Sequence, residues 1–305
     1  PFEYKTPDGY RFFLESGTLK NLDREHFQGE HPYWNELKEH PCYDEFWNAR
    51  NILPHLNNVR AAVMVVGGWY DAEDLFGPLH TYWEVERRNP GISNVLVMGP
   101  WIHGGWVGGT GESIGDAEFG FKTSEYYQKE MLLPFFKHYL KEPEGAYSMP
   151  EATVFETGAN RWRKFDSWPP KDAGRARLYL QSGGKLGFNS PEGKDQDFDS
   201  YISDPSKPVP FTELTATGMP PTYMTEDQRF AARRPDVLVY ETGVLNDDVT
   251  LAGPITVRLF ASTTGTDSDF MVKLIDVFPD DDLESGGTSG NYPKGAQQLL
   301  IRGDA

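Results

Sequence analysis

Asp71 and His103 are the residues of this sequence whose types and positions best suit proton transfer. Each follows an apolar run, residues 59–66 in one case and 95–98 in the other. A helix-like segment, 73–88, joins the runs and is long enough to make the two strands parallel. Groups that follow parallel strands meet beyond their carboxyl ends, where a carboxylate can orient an imidazole and stabilise its protonated form. His103 is the predicted general base and Asp71 its orienting acid.

The alternative for His103 is a structural histidine, because a single His after a strand is often only a hydrogen-bonded residue. The chain order favours chemistry instead. An Asp followed by a His on consecutive parallel strands, with glycines around each, is the second half of the order Ser, Asp, His in the α/β-hydrolase fold. Asp74 and Glu73 are poorer candidates for the acid, because we expect them to lie within the following helix.

Several motifs in one order resemble the cocaine-esterase-like serine hydrolases, a superfamily that includes α-amino acid ester hydrolases, glutaryl acylases and X-prolyl dipeptidyl peptidases. The resemblance spans nearly the whole chain and is closest to the ester hydrolases. The motifs are Gly67-Gly68-Trp69-Tyr70-Asp71, Gly99-Pro100-Trp101-Ile102-His103-Gly104, Gly115-Asp116-Ala117-Glu118-Phe119-Gly120, Val154-Phe155-Glu156-Thr157-Gly158-Ala159-Asn160-Arg161-Trp162 with Trp168-Pro169-Pro170, and Thr266-Asp267-Ser268-Asp269-Phe270 with Asp276-Val277.

The resemblance implies a serine nucleophile in a Gly-x-Ser-x-Gly turn between a strand and a helix. The one literal match, centred on Ser113, is rejected because no apolar strand precedes it and it follows His103. We therefore expect the serine, and the oxyanion donors, in a segment upstream of Pro1. The 305 residues alone are predicted to be inactive.

The resemblance also implies substrate contacts near the acid and in the N-terminal region. The amino acid ester hydrolases bind the α-ammonium of their substrate with a small carboxylate cluster, and Asp44 matches one of its members. Tyr43 stands where a second acid is expected, which departs from the pattern. Tyr43, Asp44, Trp69 and Tyr70 are the predicted substrate-binding residues, and no metal ligand or cofactor is predicted.

The resulting functional prediction is a serine hydrolase or acyltransferase that acts on α-amino acid esters or amides through an acyl-enzyme. An X-prolyl dipeptidyl peptidase, a glutaryl-type acylase or esterase, and a non-catalytic binding module built on the β-sandwich remain alternatives. The expected partners are a small amino acid ester or short peptide and the upstream segment, with a homo-oligomer left open. The resemblance favours a periplasmic or secreted location.

Composition limits the classes of function. A net charge of −17 opposes binding to nucleic acid or to an anionic membrane, which require basic surface. No run of residues has the apolar length of a membrane span. Cys42 is the only cysteine, so an internal disulfide is excluded, and we expect it to be packed or mildly exposed rather than catalytic.

The predicted fold class is α/β, in three parts. Residues 1–58 are predicted to contain short helices at 32–37 and 43–53, and the resemblance implies that this region is a helical cap. Residues 59–145 are predicted to form the C-terminal part of an α/β-hydrolase domain. A helix from Ser124 to about Lys141, kinked at Pro134, closes that domain. Residues 146–305 are predicted to form an antiparallel β-sandwich, which the resemblance implies is a jelly roll, incomplete at its C-terminus. Its β-rich runs are 176–180, 237–240, 255–262 and 270–277.

Two further features have competing interpretations. Asp280-Asp281-Asp282 with Glu284 suits calcium chemically, but it lacks a recognised ligand spacing, so a solvated turn is favoured. Trp162 and Trp168 could stack on a sugar, but we favour packing because large aromatic side chains are mostly buried.

Overall fold

The region before the first strand is helical, as predicted. The computed structural model describes residues 4–145, 147–191, 198–280 and 295–304. The four α-helices of this region are α1 (Gly9–Ser16), α2 (Leu19–Leu22), α3 (Pro32–Glu39) and α4 (Glu45–Asn48), with a π-helical turn at Asp23–Phe27 and a 3₁₀ turn at Leu53–His55.

The two helices predicted in this region have different outcomes. The first is confirmed as α3, which begins at Pro32, where a proline needs no amide donor. The second is broken into α4 and the 3₁₀ turn. Asn51 separates them, because its side-chain oxygen accepts a hydrogen bond from the amide of Leu53 at 3.0 Å and thereby competes with a continuous helix.

A parallel strand pair follows the helical region. Strand β1 (Val63–Gly68) and strand β2 (Asn94–Gly99) pair in parallel from Val63 opposite Asn94 to Gly68 opposite Gly99. Helix α5 (Phe76–Arg88) forms the crossover. The prediction of parallel strands is confirmed, and the apolar composition of β2 has a direct cause: all six of its residues are buried.

The predicted helix that closes this unit is present, but its middle is a π-helix rather than an α-helix. After the small hairpin of β3 (Ser113–Ile114) and β4 (Ala117–Glu118), the chain is helical from Thr123 to Leu140, as α6 (Thr123–Tyr126), a π-helical segment (Tyr127–Leu132) and α7 (Leu133–Leu140). The π turns precede Pro134, whose ring would otherwise clash with the preceding turn.

The sheet continues into the C-terminal half of the chain. Strand β5 (Ala152–Glu156) pairs in parallel with β2, and β6 (Arg161–Phe165) pairs with β5 in the antiparallel direction, giving the order β1-β2-β5-β6. These strands belong to residues that the sequence analysis assigned to the sandwich. The sheet thus extends beyond residue 145, and the domain boundary there stays a prediction.

Both faces of the sheet are covered. One face packs against α5 through a cluster of buried hydrophobic residues, which are Val65, Tyr82, Leu96, Met98, Ala152, Val154 and Trp168. The other packs against the long helix through Val97, Trp101, Tyr127 and Met131. A mixed sheet between helices confirms the α/β class. Trp168 is part of this core, which agrees with packing rather than sugar stacking.

The remaining strands of the described residues form two separate antiparallel pairs. They are the hairpin of β7 (Tyr179–Gln181) and β8 (Lys185–Gly187), and, after α8 (Arg229–Ala232), the antiparallel pair of β9 (Val272–Val277) and β10 (Gln298–Asp304). The predicted runs at 176–180 and 270–277 therefore form strands in part. Near 237–240 there is one bridge, between Lys185 and Glu241.

The prediction of a strand at residues 255–262 is wrong. Within the described residues, this segment does not pair with another strand. Its composition suits a strand, but a strand also needs a pairing partner, and Phe260 is 100% exposed.

The jelly roll stays a prediction. Asp281, Asp282 and Glu284 lie outside the described residues. Over the ranges that the structure does describe, no three His, Cys, Asp or Glu side chains group as metal ligands, and no helix has the length and apolar character needed to cross a bilayer.

Candidate active site

The ends of β1 and β2 are tied together beyond the sheet. The amide of Trp69 donates to the Gly99 carbonyl at 2.9 Å, and the amide of Tyr70 donates to the Trp101 carbonyl at 3.1 Å. Gly68 is required for this approach, because a Cβ there would lie 2.1 Å from the Trp101 oxygen. The residues that follow, Asp71 and His103, are therefore held next to each other.

Asp71 and His103 form the expected contact. His103 Nδ1 lies 3.0 Å from Asp71 Oδ2. The Asp71 side chain is 3% exposed and that of His103 is 62% exposed. A buried carboxylate at Nδ1 favours the tautomer with its proton on that nitrogen and leaves Nε2 to accept a proton from a nucleophile. This geometry suits a base with an orienting acid.

Every polar group of Asp71 has a partner. Oδ1 accepts hydrogen bonds from the amides of Glu73 and Asp74, both at 2.9 Å, while the Asp71 amide donates to the Gly68 carbonyl at 3.2 Å. Arg302 Nη1 donates to the Asp71 carbonyl oxygen at 2.9 Å. The carboxylate is thus fixed by its own backbone as well as by His103. Arg302 was missed by the sequence analysis, since it lies on β10, 231 residues from Asp71.

Glu73 supplies a second carboxylate beside His103. Its Oε2 lies 4.0 Å from His103 Nδ1, and its side chain is 71% exposed. The expectation that Glu73 and Asp74 lie within the helix is wrong, because α5 begins only at Phe76 and both amides are bound by Asp71 Oδ1. Glu73 therefore adds negative charge near the imidazole without the geometry of an orienting acid.

Trp69 and Tyr70, predicted to bind substrate, are held mainly by protein contacts. Trp69 Nε1 donates to the Phe155 carbonyl at 2.9 Å, and its ring packs against Trp168 with centroids 5.7 Å apart. The Tyr70 ring lies 5.8 Å from that of Phe119. Burial raises the pKa of Tyr70 to about 12, so its hydroxyl is neutral at physiological pH. Substrate contact by these two side chains stays a prediction.

Asp44 and Tyr43 lie in the helical N-terminal region. Asp44 caps α4 through the amide of Phe46 at 2.9 Å, and its Oδ2 lies 2.6 Å from His40 Nδ1. This bond to His40 lowers the pKa of Asp44, which is therefore ionised at neutral pH. Tyr43 is exposed and its hydroxyl accepts from Asn51. Across the described part of the chain, neither residue has a hydrogen bond, ion pair or ring contact with Asp71 or His103.

Ser113 is not in a nucleophile turn. It lies on β3 of a two-residue hairpin, pairs with Glu118, and is exposed. No strand-to-helix turn is formed there, which agrees with the rejection of this motif. Cys42 is also exposed and is far from the strand ends in sequence.

Comparison with known protein families accounts for both halves of the chain. The family model of the X-Pro dipeptidyl-peptidase (S15 family) matches residues 5–105, and that of the X-Pro dipeptidyl-peptidase C-terminal non-catalytic domain matches residues 144–304. The chain belongs to the X-Pro dipeptidyl-peptidase (S15) family. Asp71 and His103 lie in the first match and Arg302 in the second. The resemblance found in the sequence motifs is thereby confirmed.

Individual relatives of this S15-family chain are esterases and peptidases by name. The cocaine esterase of Rhodococcus sp. (strain MB1 Bresler) is 30% identical over 256 residues, which are 81% of this chain and 43% of that protein. An aminopeptidase from a marine sediment archaeon, Thaumarchaeota archaeon, is 34% identical with a TM-score of 0.87, covering 100% of this chain and 49% of the other. An α-amino acid ester hydrolase structure is 34% identical with a TM-score of 0.88, covering 99% and 50%. The chain thus spans about half the length of these relatives.

Proposed function

We propose that this chain carries the acid and the base of a serine hydrolase that acts on α-amino acid esters or amides through an acyl-enzyme. The observation that supports it best is the 3.0 Å contact between His103 Nδ1 and the buried carboxylate of Asp71. The serine nucleophile is contributed by sequence outside these 305 residues. This part of the proposal is supported by the hairpin position of Ser113 and by the length of the relatives.

The proposed reaction has two acyl-transfer steps. The serine hydroxyl attacks the substrate carbonyl while His103 Nε2 takes its proton, and Asp71 stabilises the imidazolium that forms. His103 then donates this proton to the leaving alcohol or amine as the tetrahedral intermediate collapses to the serine ester. In the next step water, or an amine, attacks the serine ester while His103 takes its proton. His103 then returns this proton to the serine oxygen as the ester bond breaks, and the acyl group leaves as an acid or an amide.

The preference for an α-amino group is supported by an acidic side chain beside the proposed base. Glu73 is an exposed carboxylate 4.0 Å from His103. The resemblance to the ester hydrolases adds Asp44, whose contact with the substrate is part of the proposal. Negative charge near the acyl site favours a substrate ammonium. Two structural relatives carry the names aminopeptidase and α-amino acid ester hydrolase, which both refer to amino acid substrates.

An X-prolyl dipeptidyl peptidase is the second candidate, because both matching family models carry that name. It would use the same acid and base and would also bind an N-terminal ammonium. Hydrolysis rates for an amino acid methyl ester and for a Gly-Pro p-nitroanilide distinguish the two. A higher kcat/KM for the anilide would favour the peptidase.

Active-site labelling tests the hydrolase proposal. A fluorophosphonate should label one serine of the full-length protein, and His103→Ala should abolish the labelling because the serine loses its base. The 305-residue chain alone should be neither labelled nor active on a p-nitrophenyl ester. His80→Ala is the matched control, since His80 packs on Phe76 of α5 and should leave labelling unchanged. Undiminished labelling of the His103 variant would refute the role of the base.

A further inference from the structure

Among the described residues of the C-terminal part of the chain, Arg302 is the one that hydrogen-bonds to the acid. Its Nη1 donates to the Asp71 carbonyl oxygen at 2.9 Å, and its side chain is half-buried. This is a charge-assisted hydrogen bond, which is stronger than one between neutral groups. It joins residues matched by the C-terminal non-catalytic domain model to the loop that carries the acid.

The backbone around Arg302 is firmly placed. Leu300 is buried, and the main chain of Gln298 is bonded on both sides: its carbonyl accepts from the Gln228 amide at 2.9 Å, and its amide donates to Asp227 Oδ1 at 3.4 Å. Asp227 is itself buried and paired with the guanidinium of Arg229. Strand β10 is therefore anchored just before it reaches Arg302.

A β-bulge directs the end of this strand. Leu300 is opposite Ile275 and Arg302 is opposite Leu274, so the register shifts and Ile301 is the extra residue. Bulges change the direction in which a following side chain points, and they occur often beside active sites. In this structure the residue directly after the bulge is the one that reaches Asp71.

We infer that Arg302 is a positioning residue for the acid, so that the C-terminal part of the chain contributes to catalysis through Asp71. The bond holds the main-chain carbonyl of Asp71, in addition to the amides that hold its side-chain Oδ1, and thereby helps to fix the direction of Oδ2 toward His103. Small errors in such geometry are costly, because proton transfer requires aligned groups. This inference rests on the proposed function of Asp71 and His103.

Arg302→Met in the full-length protein tests the inference, since methionine keeps the apolar stem and removes the donor. We expect kcat for an amino acid methyl ester to fall on the order of tenfold with KM nearly unchanged, because orientation rather than binding is lost. Arg302→Lys keeps a charged donor and should restore most of kcat. Arg234→Met is the matched control: Arg234 Nη2 also donates to a main-chain carbonyl, that of Lys207, at 2.8 Å.

A double-mutant cycle separates positioning from general stabilisation. In an Asp71→Asn background, Arg302→Met should cause no further loss of the residual kcat, because both changes act on one group. Melting temperatures of the Arg302 and Arg234 variants should be similar. The inference would be overturned if Arg302→Met lowered kcat equally in the native and the Asp71→Asn backgrounds. It would also be overturned if Arg234→Met lowered kcat as much as Arg302→Met does, or if Arg302→Met kept full activity. Failure of Asp71→Asn to lower kcat would instead reject the proposed function.

Discussion

Replacement of Asp71 by Asn tests the proposed acid with little change of shape. The asparagine Oδ1 can still accept from the amides of Glu73 and Asp74, which hold Oδ1 of the native carboxylate at 2.9 Å. This arrangement places the amide nitrogen against His103 Nδ1, where the native oxygen lies at 3.0 Å. Two donors cannot face each other, so the ring must carry its proton on Nε2.

The expected loss follows from that tautomer. With Nε2 protonated, His103 cannot accept the serine proton, and the variant also lacks the negative charge that stabilises the imidazolium. Comparable triads lose about 10⁴-fold in kcat upon this substitution, which corresponds to roughly 5 kcal/mol of transition-state stabilisation. The variant should melt close to the native temperature, because the backbone bonds to Oδ1 are retained.

The assay is steady-state hydrolysis of an amino acid p-nitrophenyl ester by the full-length protein, with circular dichroism to confirm folding. Glu73→Gln is the matched control. It removes an exposed carboxylate whose oxygen lies 4.0 Å from the same nitrogen of His103, which is too far for a hydrogen bond. Its kcat should change by less than about tenfold. A loss below about tenfold for Asp71→Asn would refute the assignment of the acid.

Three further predictions follow from individual side chains. Asp44→Asn keeps a good helix cap but removes the charge, so KM should rise more for an amino acid methyl ester than for a simple acyl ester; equal changes in both KM values would exclude an ammonium contact. Gly68→Ala places a methyl group against the Trp101 carbonyl, so both kcat and the free energy of unfolding should fall. The expected loss of unfolding free energy, measured by urea titration, is about 1–3 kcal/mol. An unchanged kcat and unfolding free energy would contradict the close approach. Burial raises the pKa of Glu226 above its ordinary 4.5, so its stabilising contribution is complete below that pH and is lost as pH rises through the folded value. Glu226→Gln should therefore become more stable relative to the native protein as the pH rises above 4.5, and a difference in unfolding free energy that does not change with pH would be inconsistent with this shift.

The unit of two parallel strands and a crossover helix could be predicted because short stretches of the sequence indicate each of its elements. A strand buried on both faces is a continuous apolar run, and β2 has this form. The crossover helix and the strand ends then place Asp71 and His103 at one edge. The contact between them was expected from this logic and is present, whereas their catalytic roles remain proposals.

The errors concern features that depend on distant or cooperative contacts. Residues 255–262 have strand composition, but composition does not supply a pairing partner. Glu73 and Asp74 fit a helical pattern, yet the carboxylate of Asp71 binds their amides and delays the helix start to Phe76. Arg302 could not be found, because no local pattern relates a bulged strand to a loop so far away in sequence.

Asn89, at the end of helix α5, is hydrogen-bonded to the chain where the helical region ends. The Asn89 side chain accepts from the Val59 amide and donates to the Leu56 carbonyl, each at 2.9 Å. Within the described residues, the hydrogen bonds of Asp71 and His103 involve no residue from 4–58. The contact between Asp71 and His103 is thus built without hydrogen bonds from the helical region. We expect a chimaera in which the residues before Val59 are exchanged for those of a homologous esterase to keep the 3.0 Å contact between His103 and Asp71.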